Sequence, residues 1–173
     1  NSDQGSKTDE ETVKELMKRV AAKDAYAIYI LGSYYYHGKL GLQQDLERAI
    51  ALWKQAAKLG SSKAHYNLGT EYENGGDVKK ANFHYEAAAM AGDELARYNL
   101  GVMDFKSGNK ERAIKHWTIA ASSGEYVSMH NLRTAFNKGL VSRNQIDSTL
   151  AAYNNSCAEM RSEARDAYLR RFY

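Results

Sequence analysis

Residues 64–69 read Ala64-His65-Tyr66-Asn67-Leu68-Gly69, and residues 96–101 read Ala96-Arg97-Tyr98-Asn99-Leu100-Gly101. The two hexapeptides differ at a single position and stand 32 residues apart. Gly60, Gly92 and Gly124 keep the same interval, as do Trp53, Tyr85 and Trp117. So do Ala57, Ala89 and Ala121, and Leu68, Leu100 and Leu132. Leu31-Gly32 is an earlier copy of the Leu-Gly pair. Self-similarity at a period of about 20–50 residues marks a repeat architecture, in which each unit buries its apolar face against the next.

Inside a unit the apolar residues recur at spacings of three and four, which puts them on one face of an α-helix. The first helix of a unit carries Tyr29, Leu31, Gly32 and Tyr35, echoed by Tyr66, Leu68, Gly69 and Tyr72. The second carries Ala49, Trp53, Ala56 and Ala57, with counterparts at Ala81, Tyr85, Ala88 and Ala89 and again at Ala113, Trp117, Ala120 and Ala121. Asp45, Asp77 and Asn109 stand where N-caps are needed, and Gly60, Gly92 and Gly124 where each second helix must stop. Glycine inside a helix costs about 1 kcal/mol relative to alanine. Gly32, Gly69 and Gly101, at one repeat position, therefore predict a crossing too close for a side chain. Trp53, Tyr85 and Trp117 are expected to fill the space between neighbouring helix pairs.

The fold class expected is all-α: a right-handed α/α solenoid of about four helix-turn-helix repeats with capping helices at both ends. A disordered lead is expected at residues 1–8 and a single solenoid domain at 9–173. That domain divides into a cap helix 9–23, repeats 24–60, 61–92, 93–124 and 125–160, and a C-terminal cap helix 161–173. The fourth repeat is worn, with Arg133 where glycine is expected and Leu150 near the place of an alanine. The polar start, and the lack of an initiator methionine, suggest a piece of something longer.

Composition narrows the chemistry. Of 173 residues none is proline and 13 are tyrosine, so helices must be ended by glycine rather than broken. The net charge of +3 is too small to argue for nucleic acid as a partner, despite a mild cluster at Arg161, Arg165, Arg170 and Arg171. One cysteine, Cys157, permits neither an internal disulfide nor a multi-cysteine zinc site, and points to a reducing, cytoplasmic compartment. No apolar run is long enough to span a membrane. The motifs that cradle phosphate, hold catalytic zinc or present a nucleophilic serine are missing. His84 and His116 occupy equivalent places, yet stacked repeats set them about 10 Å apart, too far to share a metal. Catalytic residues, cofactors and metals are therefore not expected.

The hexapeptides at 64–69 and 96–101, with the helix-ending Ala56-Ala57-Lys58-Leu59-Gly60, resemble the Sel-one-like repeat family, a branch of the tetratricopeptide-type solenoids. The resemblance covers roughly residues 10–160, and the tail from Glu159 to Asp166 looks like that of algal and protist members. It implies a scaffold or adaptor that binds a protein or peptide. It also suggests a link, through relatives with an amino-terminal zinc finger, to a larger ubiquitin-ligase or signalling protein. In such solenoids the first helices line a concave groove. Asn67, Asn99 and Asn131 recur there one residue before each leucine, and a carboxamide both donates and accepts, so it can hold a peptide backbone without reading its sequence. Tyr26, Tyr29, Tyr36, Lys63, Thr70, Phe105 and His130 are the neighbouring candidates, tyrosine offering large contact area at little rotamer cost. The alternative reading is a self-assembling structural protein, a homo-oligomer built through the first helix and the tyrosines of the first unit.

Overall fold

The computed structural model describes the backbone of residues 8–172 and the side chains of residues 8–164. The lead expected at 1–8 lies, Thr8 apart, outside the described residues, as do the side chains of Arg165, Arg170 and Arg171. Every regular element among the described residues is an α-helix.

The helices gather into two compact units, Asn1–Ala91 and Gly92–Tyr173. The first unit contains α1 (Asp9–Ala21), α2 (Ala25–His37), α3 (Leu46–Lys58), α4 (Ser62–Asn74) and α5 (Val78–Met90). In it α2 pairs with α3 and α4 with α5, while α3 also packs on α4 and α1 on α2. The second unit contains α6 (Glu94–Lys106), α7 (Lys110–Ser122), α8 (Tyr126–Asn137) and α9 (Arg143–Phe172). There α6 pairs with α7, and α8 and α9 both pack on α7.

Local chemistry sets the helix boundaries. Thr8 and Glu11 form a reciprocal capping box at the start of α1. The Asp45 and Asp77 carboxylates accept from the backbone N–H of Arg48 and Lys80, as expected of N-caps. Asn109 departs from expectation: its side chain makes no cap bond to α7 and instead donates to Ser107 Oγ at 3.3 Å. The first helices use caps of their own, Asp24, Ser61, Asp93 and Glu125. Gly60, Gly92 and Gly124 follow their helices at φ of 88°, 90° and 95°, a left-handed turn that a side chain makes costly.

The helical glycines mark close approaches within each helix pair, as their spacing predicts. At Gly32 a Cβ would lie 2.7 Å from Trp53 Cδ1, and at Gly69 2.6 Å from Tyr85 Cδ1. At Gly101 it would collide with the Trp117 indole. The aromatic ring of the second helix thus sits on the glycine of its own partner helix. At Gly32 the partner backbone is close as well, Ala49 O lying 3.2 Å from such a Cβ. Trp53 and Trp117 also share buried clusters with Leu68 and Leu132 of the following helix, so the rings fill space between pairs too. Ala49, Ala81 and Ala113, all fully buried, stand one helical turn before the rings and allow the approach.

The last helix also differs from its sequence reading. α9 runs unbroken from Arg143 to Phe172, so no helix boundary falls near residue 160. Tyr153 packs against the second unit's core in the role of the earlier aromatics. Thr149, one turn before it and 4% exposed, takes the alanine position, whereas Leu150 is 41% exposed. The Thr149 hydroxyl donates to the Gln145 carbonyl at 2.7 Å, which removes the cost of burying it. Among the described residues no helix is long and apolar enough to cross a membrane.

Tyr85 is 0% exposed and its hydroxyl is held by Glu73, so the ring has no room to swing away from Gly69. Overpacking costs about 1–3 kcal/mol and outweighs the helix propensity that alanine adds. Gly69→Ala is expected to lower the urea midpoint and Gly69→Val to lower it further, both read by far-UV circular dichroism. A Gly69→Ala protein as stable as the parent would show that the ring has slack.

Candidate partner-binding site

The predicted binding residues fall into three places. In the first unit Lys63 lies over the Tyr26 ring, its Nζ 5.8 Å from the centroid, and Arg19 approaches the same ring. Tyr29 stands beside Tyr26 with ring centroids 6.1 Å apart, and its carbonyl accepts from Trp53 Nε1 at 3.3 Å. Tyr26 and Lys63 are exposed, whereas Tyr29 is half-buried against the core.

A second group converges on a hollow of about 170 Å³ between the α2–α3 pair and α4. Tyr36, Asn67 and Thr70 line it, with Trp53 and Glu71. Tyr36 donates its hydroxyl to Glu71 Oε1 at 2.9 Å, joining the α2 wall to the α4 wall. The Glu71 carboxylate, with burial, holds the Tyr36 proton more tightly than an ordinary tyrosine does. Thr70 donates to the Tyr66 carbonyl, and its hydroxyl oxygen lies 3.2 Å from the Tyr85 hydroxyl.

The third group lies in the second unit. A hollow of about 340 Å³ opens between the α6–α7 pair and α8. Phe105 and Asn131, both predicted, help to line it, with Tyr98, Val102, Trp117 and Ala135. Lys106, Thr134, Lys138 and Leu140 complete the wall. Asn99 is half-buried on α6 but does not line this hollow, and His130 is exposed on α8, its carbonyl engaged by Thr134. Sequence reasoning passed over Trp117, Ala135, Lys106 and Lys138, which read as core or solvated positions. The signal that finds them is a comparison of equivalent positions between repeats, not the repeat pattern itself.

The Sel1 repeat family matches the chain at residues 25–61, 62–93 and 94–125. The protein belongs to the Sel1 repeat family.

Sel1 repeats form an all-α solenoid fold, generally mediate protein–protein interaction and are generally not enzymes. A Sel1 repeat protein from Oxalobacter formigenes is similar at 24% identity and a TM-score of 0.70, over 84% of this chain and 64% of that one. The protein c5321, a protective antigen present in uropathogenic Escherichia coli strains and displaying an SLR fold, is similar at 22% identity and a TM-score of 0.68. The match covers 90% of this chain and 38% of that one. Both likenesses show the fold, and this chain spans less than two thirds of either relative's length. Among curated proteins no match is found.

The Sel1 units also bring together two histidines that the sequence leaves far apart. His65 Nδ1 on α4 and His84 Nδ1 on α5 are 2.9 Å from each other, and His84 stacks on Tyr72 with ring planes 8° apart. His116, its sequence equivalent, instead faces Asp104, Nε2 to Oδ2 at 3.5 Å. A bond between two Nδ1 atoms needs one ring to donate and the other to accept, so the acceptor must be neutral. Burial lowers the pKa of both rings, and the charge of His65 and of Lys54 lowers that of His84 further.

A histidine with a lowered folded pKa disfavours protonation in the native state. Its contribution is complete above the ordinary value of about 6.5 and declines as pH falls from there through the lowered native values. The urea midpoint is expected to fall between pH 7.5 and 5, and His84→Gln to flatten that dependence. Parallel pH profiles for the parent and His84→Gln would contradict the assignment.

Proposed function

We propose that this chain is a non-enzymatic scaffold or adaptor whose first-helix faces hold an extended peptide or a partner helix. One observation carries the reading. Asn67, Asn99 and Asn131 are all half-buried, yet among the described residues no hydrogen bond engages any of the three carboxamides. An asparagine kept to tie neighbouring helix ends would show that bond. A half-buried amide with both donor and acceptor free is instead poised for a peptide backbone. The tyrosines of α2 supply contact area beside it. As an adaptor the chain would serve a larger ubiquitin-ligase or signalling assembly, the role its sequence resemblance implies, and its lone free thiol at Cys157 suits the cytoplasm.

Self-assembly is the second reading, and exposed apolar residues on α5 favour it: Phe83 is 64% exposed and Met90 87%. A mass that rises with concentration in sedimentation, and falls back in Phe83→Ser/Met90→Ser, would establish it; a monomer at all concentrations would remove it.

For the leading reading, the triple variant Asn67→Ala/Asn99→Ala/Asn131→Ala is compared with the parent for binding of a partner recovered from the source organism. Each lost hydrogen bond is worth about 0.5–1.5 kcal/mol. Affinity is expected to fall about tenfold or more, with circular dichroism and melting unchanged. Loss of the fold would show the asparagines to be structural, and unchanged affinity would move the partner to another face.

A further inference from the structure

The two hollows are the same place in two copies of the repeat. Trp53 and Trp117, Asn67 and Asn131, and Thr70 and Thr134 are equivalent pairs, each two repeats apart. Tyr36 and Phe105 are equivalent too, and the structure confirms it. Tyr36 lies 5.1 Å from the Trp53 ring at 34°, and Phe105 lies 5.4 Å from the Trp117 ring at 36°.

Against that common frame two changes matter. Tyr36 becomes Phe105, which removes a hydroxyl, and Glu71 becomes Ala135, which removes the carboxylate that receives it. The bond that latches the first unit's hollow cannot form in the second. The hollow there measures about 340 Å³ against about 170 Å³. A cavity of about 150 Å³ takes a benzene ring, so the first hollow is barely large enough for a ring, while the second has room for one aromatic side chain and its approach.

The charges around it also change. Lys106 stands where the first unit has His37, and Lys138 where it has Asn74. No lining residue is acidic. Asp104, the nearest carboxylate in sequence to Phe105, is turned towards α7, where Oδ2 meets Arg112 Nε at 3.4 Å and His116 at 3.5 Å. Among the described residues neither lysine has an ion-pair partner, so the mouth presents two ammonium groups beside an aromatic floor. In that floor Trp117 Nε1 is buried without a hydrogen-bond partner among the described residues, whereas Trp53 Nε1 donates to the Tyr29 carbonyl. The tryptophan of the second unit thus lacks the bond that its sister copy keeps.

We infer that the hollow of the second unit is a pocket for one aromatic side chain of a partner peptide, with acidic residues on either side of it. The ring rests on Phe105 and Trp117. The flanking carboxylates meet Lys106 and Lys138, and Asn131 bonds the peptide backbone. This rests on the peptide-binding reading above and names the partner's chemistry.

The test uses the full chain and a fluorescent peptide carrying one phenylalanine between runs of glutamate, with binding read by anisotropy. Replacing the phenylalanine by alanine, or the glutamates by lysines, is expected to weaken binding at least tenfold. Phe105→Tyr/Ala135→Glu rebuilds the latch of the first unit and is expected to cost as much, with unchanged helicity. Should that variant misfold, Leu140→Glu places a like charge at the exposed rim without touching the core, and the same loss is expected. Equal binding by the latched or the rim variant, or by the lysine peptide, overturns the pocket. If the latched variant keeps the parent's natural partner and the triple asparagine variant loses it, the pocket fails while the adaptor reading stands. If both variants keep that partner, both readings fail.

Discussion

Trp53, Tyr85 and Trp117 each lie over a helical glycine, and the geometry of the helix pairs follows from that seating. A ring seated on a helix needs a residue without a Cβ beneath it and small residues on its own helix to let it approach. Gly32, Gly69 and Gly101 meet the first need, and Ala49, Ala81 and Ala113 the second. Each helical glycine gives up about 1 kcal/mol of propensity. The burial of a whole aromatic side chain, which removes about 150–250 Å² from water, more than offsets it.

With the rings held in this way, the residues around them are free to vary. The first unit uses that freedom to bridge its hollow with a Tyr36–Glu71 hydrogen bond, and the second leaves the same position apolar and places two lysines beside it. The tryptophan and the asparagine are common to both hollows. Discrimination between partners would then rest on the differences between copies, because the shared asparagine can hold a peptide backbone without reading its sequence. His65 and His84 follow the same pattern. Their bond depends on a histidine at residue 65, where the next repeat has Arg97, so His116 turns to Asp104 instead.

Much of the fold was legible in the sequence because it rests on period. The 32-residue spacing placed the helices of three repeats, their terminal glycines and two of three proposed aspartate or asparagine caps. Asn109 was misread because a neighbouring hydroxyl, Ser107, competes for its side chain. The helical glycines and the close approach they permit are legible in the spacing; that an aromatic ring does most of the crowding is not, since spacing cannot separate a ring from a backbone. α9 escaped because nothing in its sequence distinguishes a helix that ends from one that continues. The site was less legible still. Asn67, Asn131, Tyr36 and Phe105 were chosen for their face and their chemistry, and they do line the hollows. Glu71, Ala135 and the lysines gain meaning only when Tyr36 and Phe105 are set in register by the tryptophans beneath them.

The most direct measurement exploits the fact that the chain has two tryptophans, one under each hollow. In a ¹H–¹⁵N spectrum their indole N–H signals report separately on the latched and the open copy. Titration with the acidic, phenylalanine-bearing peptide is predicted to shift the Trp117 indole signal in a saturable way and further than that of Trp53. A larger shift of Trp53, equal shifts of both or no shift of either at saturating peptide would contradict the claim that divergence between repeats made the hollow of the second unit the aromatic pocket.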